Sequence, residues 1–151
     1  PEMLRLYFTI KSPSRFLIIS DSTAFCGTPP GYYTLPNGET RHVTSDGQIL
    51  TSGGRRCGSA RPALFGIRTL TEKLHMPFET ALRMATLQPA RKYGLASRKG
   101  SLAPGKDADF VLLGDDYQVL ATYVAGRRVY DRSESALLRS EFLTERLFTP
   151  A

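Results

Sequence analysis

Apolar positions along the first fifty residues change period twice. In PEMLRLYFTIKS, Leu4, Tyr7 and Phe8 recur at helical spacing and predict a short helix over residues 1–12, with Pro1 suited to its first turn. Ser-Pro-Ser at 12–14 breaks it. Phe16, Leu17, Ile18 and Ile19 then run apolar on both faces, the pattern of a strand covered on both sides in a parallel sheet. That run ends at once in Ser20 and Asp21. Beyond it the period drops to two. GYYTL (31–35), ETRHVT (39–44) and QIL (48–50) are short strand candidates separated by PNG and SDG, and Asn-Gly and Asp-Gly are strong hairpin signals.

GGRRCGSA (53–60) reads as a flexible loop. From Pro62 to Leu74 the helical period returns through Leu64, Ile67, Leu70 and Leu74. Pro77 opens a second helix with Phe78, Ala81, Leu82 and Ala85 inward. It is expected to stop near Gln88, because a proline disfavours helix in the residue before it; Pro89 then starts a third, closed by Gly94. After a Pro-Gly turn, Phe110–Leu113 predicts a strand, and QVLATYVAGRRVYD two more about Gly126. Residues 133–151 read as a helix or a disordered tail. The order helix, buried strand, helices is a piece of α/β architecture. Its parallel-type strand has no parallel partner in the chain, and such a strand needs neighbours for its backbone groups. The chain therefore reads as part of something larger, or as paired with another chain. Its start at Pro1 rather than Met fits a fragment or a processed piece.

Composition narrows the function classes. The 151 residues suffice for one domain with a core, and no apolar run approaches the roughly 20 residues that span a bilayer. A net charge of +6 permits anionic partners, but the bases are scattered in pairs such as Arg55-Arg56 and Arg127-Arg128, which argues against nucleic acid. Cys26 and Cys57 read as free thiols in a reducing cytoplasm rather than as a disulfide framework. With His42 and His75 they have no zinc-finger spacing, and His42 reads as a packing or surface histidine.

Asp21 poses the chemical question. Desolvating a carboxylate is costly unless it is paired. At the end of an apolar run it is either the start of a turn, bonding nearby backbone N–H groups, or a catalytic group.

Three segments then carry a family resemblance. ALRMATLQPARKYGL, GSLAPGKDADFVLL and VLATYVAGRRVYD resemble, in order and spacing, the C-terminal end of the amidohydrolase superfamily. Within it, SDSTAFCGTPPGYYTL and CGSA are similar to the T-D-A…G-x-Y segment and the A-G-S-A loop of the N-acetylglucosamine-6-phosphate deacetylase family. The resemblance covers roughly residues 1 to 131. It implies the C-terminal part of a (β/α)8 metal-dependent hydrolase barrel (residues 1–98, with a hairpin excursion at about 31–50), strands of a small β-sandwich domain (99–132) and a tail (133–151). FLIIS would be the last barrel strand, and chemistry in such barrels sits at the C-terminal strand ends.

The implied reaction is removal of the N-acetyl group from a phosphorylated amino sugar in cytoplasmic amino-sugar catabolism, by a homodimer that uses a divalent metal such as zinc and involves neither nucleic acid nor membrane. Asp21 would be the catalytic carboxylate, general base and then general acid, and could double as a weak or second-site metal ligand. Arg56, Cys57 and Gly58 match the segment that touches the sugar, with Gly58 allowing close backbone approach. Arg56 and Cys57 depart from the family's small or apolar residues, which matters if side chains make the contact. Arg55, Arg56 and Arg61 are phosphate candidates by charge alone. The family's metal ligands lie on earlier strands not found here, so the chain is expected to hold no catalytic metal and to be inactive alone. The alternatives are another amidohydrolase, dihydroorotase- or hydantoinase-like, and a non-catalytic basic domain.

Overall fold

A computed structural model describes residues 2–135 and 149–150. The elements in chain order are α1 (Glu2–Ile10), a 3-10 turn (Pro13–Arg15), β1 (Gly31–Thr34), β2 (Thr40–Val43), β3 (Gln48–Thr51), β4 (Arg56–Ser59), α2 (Ala63–Leu74), α3 (Phe78–Ala85), α4 (Leu87–Lys92), β5 (Phe110–Leu113), β6 (Val119–Val124), β7 (Arg127–Asp131), α5 (Arg132–Ser135) and β8 (Thr149–Pro150). The described residues fall into two compact units, one of residues 2–19 with 64–134 and one centred on residues 20–63. Most of the predicted tail lies outside the described residues.

The unit centred on residues 20–63 is built on antiparallel pairing in the order β4-β3-β2-β1-β8. Both expected hairpins form. Tyr32 faces His42 and Val43 faces Ile49 across the ladders. Asn37 Oδ1 accepts from Glu39 N–H at 3.1 Å, so the Asn-Gly turn is held by its own side chain. One face of this sheet carries the core: Phe25, Val43, Ile49 and Ala60 are buried, with Tyr33 and Leu35 against them. The expected loop at 53–60 is corrected by the structure. Only its first part turns; Arg56–Ser59 pair with β3 across a bulge. Three glycines and two arginines in residues 53–60 hide a strand from propensity, because register with a neighbour supplies what the residue types do not.

The unit of residues 2–19 and 64–134 has a helical core. Ile67 and Leu70 of α2 and Ala81 and Met84 of α3 are buried together, with Phe8, Phe16 and Ile18 packed on them. On α3, Ala81 and Met84 are buried and the expected Leu82 and Ala85 pack against that core, while Phe78 is 41% exposed. Proline 89 does not divide α3 from α4 as expected. Thr86 makes the break with φ −128° and ψ −81°, and Pro89 lies in the first turn of α4, where its missing N–H costs nothing.

The expected buried strand is also corrected. Residues 16–20 form no ladder; Ile18 N–H donates to Met84 O at 2.9 Å, while Leu17 is 38% and Ile19 78% exposed. Phe16 and Ile18 face the helical core, and among the described residues no strand pairs with the run.

The three remaining strands form the sheet β5-β6-β7, with Phe110 and Tyr123 opposite each other and stacked at 4.4 Å. The GKDAD turn secures it. Lys99 pairs with Asp107 at 3.1 Å and also with Asp109, and Asp109 Oδ1 accepts from Ala125 N–H at 2.8 Å. Hydrogen bonds from Lys99 foremost hold both carboxyls below the usual carboxylate range and raise the Lys99 ammonium above its own.

Candidate active site

Asp21 sits at a backbone irregularity. Its φ is 49°, in the left-handed region that only a few per cent of non-glycine residues occupy, Asp and Asn being enriched there. The conformation is held from β4. Ser59 N–H donates to Asp21 O at 2.8 Å and Thr23 N–H donates to Ser59 O at 3.1 Å, so Ser22 and Ser59 form an isolated parallel bridge. Parallel pairing does occur at the carboxylate, then, over a single position and with β4.

Gly58 lies beside this bridge with φ 138°. A Cβ there would fall 2.4 Å from Thr23 Cγ2 and 3.2 Å from Asp21 O. Glycine is favoured because its φ suits no side chain and because the Thr23 methyl fills the place a Cβ would take, with the Asp21 carbonyl close behind it. Two of the residues singled out from sequence, Asp21 and Gly58, are thus neighbours through their main chains.

The other two candidates flank Gly58. Cys57 is an exposed free thiol whose Sγ lies 3.5 Å from Ile49 O. Arg56 is exposed, and its Nε donates to Gln48 Oε1 at 3.0 Å, which leans the guanidinium along β3. His42 is stacked on Tyr32 at 4.4 Å with an interplanar angle of 11°, a packing role. His75 has φ 58° in the link from α2 to α3.

Among the described residues no group of three or more His, Cys, Asp or Glu side chains is placed to hold a metal ion. The described residues therefore do not place three such donors together at Asp21 for a divalent metal.

Sequence reasoning missed the hydroxyl contacts around Asp21. Ser22 Oγ donates to Arg61 O at 2.6 Å, Ser22 N–H to Ser20 Oγ at 3.2 Å, and Arg61 N–H to Ser59 Oγ at 2.9 Å. The Arg61 guanidinium reaches Ser45 O at 3.0 Å across the turn at Gly47, where a Cβ would meet Arg61 Nε at 2.3 Å and the arginine stem at 2.6–2.7 Å. Arg61 is therefore engaged structurally, which bears on its candidacy as a phosphate ligand. The only sequence signal for these ties was the density of serines around Asp21 and Gly58.

Geometry of this kind suits general acid–base work: a carboxylate on a backbone held by two main-chain bonds, next to a glycine that lets a ligand come close. Residues 35–129 match the model of the amidohydrolase family. The N-acetylglucosamine-6-phosphate deacetylase of Vibrio furnissii is 36% identical over 122 residues, which are 81% of this chain and 30% of that protein. The crystal structure of the Pasteurella multocida N-acetylglucosamine-6-phosphate deacetylase superposes with a TM-score of 0.75 at 27% identity, over 86% of this chain and 34% of that one. A mutant of the Mycobacterium smegmatis deacetylase, solved in complex with N-acetyl-D-glucosamine-6-phosphate, gives 0.71 at 29% identity over 85% and 34%. The chain spans about a third of the length of the relatives it matches. With the family model covering well over half of its residues, the chain belongs to the amidohydrolase family.

Proposed function

We propose that the chain is the C-terminal part of an N-acetylglucosamine-6-phosphate deacetylase, which hydrolyses the N-acetyl group of N-acetylglucosamine 6-phosphate to glucosamine 6-phosphate and acetate. The observation that carries this reading is the docking of Asp21 on β4, which brings the carboxylate-bearing residue beside Gly58. Support comes from relatives that bear the deacetylase name.

In this reading Asp21 takes a proton from the water whose oxygen attacks the amide carbonyl carbon. It returns a proton to the amide nitrogen as the C–N bond breaks, so the amine leaves neutral and acetate forms. The backbone around Gly58 lies against the sugar, and Arg56 and Cys57 adjust its fit. A divalent metal, zinc or similar, belongs to the complete enzyme, with ligands that the described residues do not provide. Residues 1–98 belong to its barrel and 99–132 to its small β-sandwich domain, and the complete enzyme is a cytoplasmic homodimer working in amino-sugar catabolism. None of the helices described is long and apolar enough to cross a membrane.

The 151-residue chain by itself is expected to release no acetate. A deacetylation assay with N-acetylglucosamine 6-phosphate, run beside metal analysis of the purified chain, tests this. Robust turnover by the chain alone would overturn the claim of incompleteness. In an active preparation, normal turnover by Asp21→Asn would overturn the role of Asp21.

A further inference from the structure

A non-glycine residue in the left-handed region is strained and persists only where its surroundings over-determine it. At Asp21 two of the restraints are main-chain bonds with Ser59 and do not depend on which side chain follows the aspartate. A third does. The Ser22 hydroxyl donates to Arg61 O at 2.6 Å, while Ser22 N–H donates to Ser20 Oγ at 3.2 Å. Ser22 Oγ has a single proton to give. Cys26 Sγ, at 3.7 Å, is the weaker acceptor, so that proton is committed to Arg61 O.

The acceptor is itself anchored. Arg61 N–H donates to Ser59 Oγ at 2.9 Å, its guanidinium to Ser45 O at 3.0 Å, and Ala60 N–H to Gly47 O at 2.9 Å. Ser22 therefore ties the segment following Asp21 to the end of β4 by its side chain and, through Arg61, to the turn between β2 and β3. We infer that Ser22 is a positioning residue: its hydroxyl holds the backbone from which the Asp21 carboxylate springs in the left-handed geometry beside Gly58. The inference rests on the proposed catalytic role of Asp21 for its purpose, and on the hydrogen bonds alone for its mechanism.

The two are tested separately. Amide hydrogen exchange is followed on the full chain and on Ser22→Ala and Ser22→Thr. Ser22→Ala is expected to speed exchange at Ser59 and Thr23 at least tenfold and to leave the amide of Leu70, in the other unit, unchanged. Ser22→Thr keeps the hydroxyl and is expected to restore protection. In a preparation competent for turnover, Ser22→Ala is expected to lower kcat about tenfold with KM unchanged, and Ser22→Thr to recover it. Unchanged protection at Ser59 and Thr23 in Ser22→Ala, or Ser22→Thr as fast as Ser22→Ala, would overturn the inference. So would an effect on KM alone. A turnover-neutral Asp21→Asn would instead overturn the proposed function, and the exchange rates would still decide the tether.

Discussion

Ser59 donates its backbone N–H to the main-chain carbonyl of Asp21 at 2.8 Å, and through that bond a residue at the end of an unpaired apolar run meets a strand of the antiparallel sheet. Beside that bond, the Thr23 methyl crowds the place where a side chain of residue 58 would start.

Gly58→Ala should therefore be among the more damaging small substitutions in the chain. It adds a Cβ at φ 138°, 2.4 Å from Thr23 Cγ2. Backbone strain of this kind costs about 1–3 kcal/mol. Urea unfolding should show a loss of that size. Adding Thr23→Ser, which removes the clashing methyl and keeps the hydroxyl bonded to Phe25 N–H, should recover part of it. An unchanged midpoint for Gly58→Ala would show that the two segments are not in contact.

Asp21→Asn removes the ionisable group and little else. Asparagine tolerates the left-handed conformation, so the fold should be unaltered by circular dichroism and amide exchange. In an active preparation kcat should drop by about 10²- to 10⁴-fold, the usual contribution of a general acid–base. In the isolated chain the same substitution should change nothing measurable in a deacetylation assay.

The Lys99–Asp107–Asp109 group predicts an acid-side loss of stability. Both carboxyls have folded-state pKa values below their unfolded ones, chiefly through hydrogen bonds from Lys99. Their contribution is complete above the unfolded value of about 3.9 and disappears as pH falls through the lowered folded values. The raised Lys99 ammonium acts oppositely, contributing below its unfolded value and losing it in strongly alkaline solution. Asp109→Asn should leave a smaller difference in urea midpoint between pH 7 and pH 3 than the unaltered chain shows. An identical pH dependence would remove Asp109 from the account.

Ile19 offers a contrast. It is 78% exposed, so Ile19→Thr in this chain should change stability by no more than about 0.5 kcal/mol. Buried Ile49 is 1% exposed, and Ile49→Ala should cost about 2–5 kcal/mol. A large loss from Ile19→Thr, read by thermal unfolding, would mean that the residue is covered in solution.

Much of this molecule is determined by local sequence. The Asn-Gly and Asp-Gly turns, the α2 period through Ile67 and Leu70, and the strands about Gly126 are specified by φ preferences and by spacing that puts apolar groups on one face. Tertiary structure decided what local pattern could not. Phe16–Ile19 has the composition of a doubly covered strand, yet a strand needs a ladder of bonds to a neighbour, and among the described residues the run makes isolated bonds such as Ile18 N–H to Met84 O and no ladder. Arg56–Ser59 has the composition of a loop, yet β3 supplies the ladder. Sequence also singled out Asp21 and Gly58 without showing that they are neighbours, because the bonds that dock Asp21 and Thr23 on Ser59 run through main-chain atoms that every residue shares. Which serine hydroxyl reaches which carbonyl, as Ser22 reaches Arg61, depends on the path of two segments far apart in the chain, and only the folded backbone sets that path.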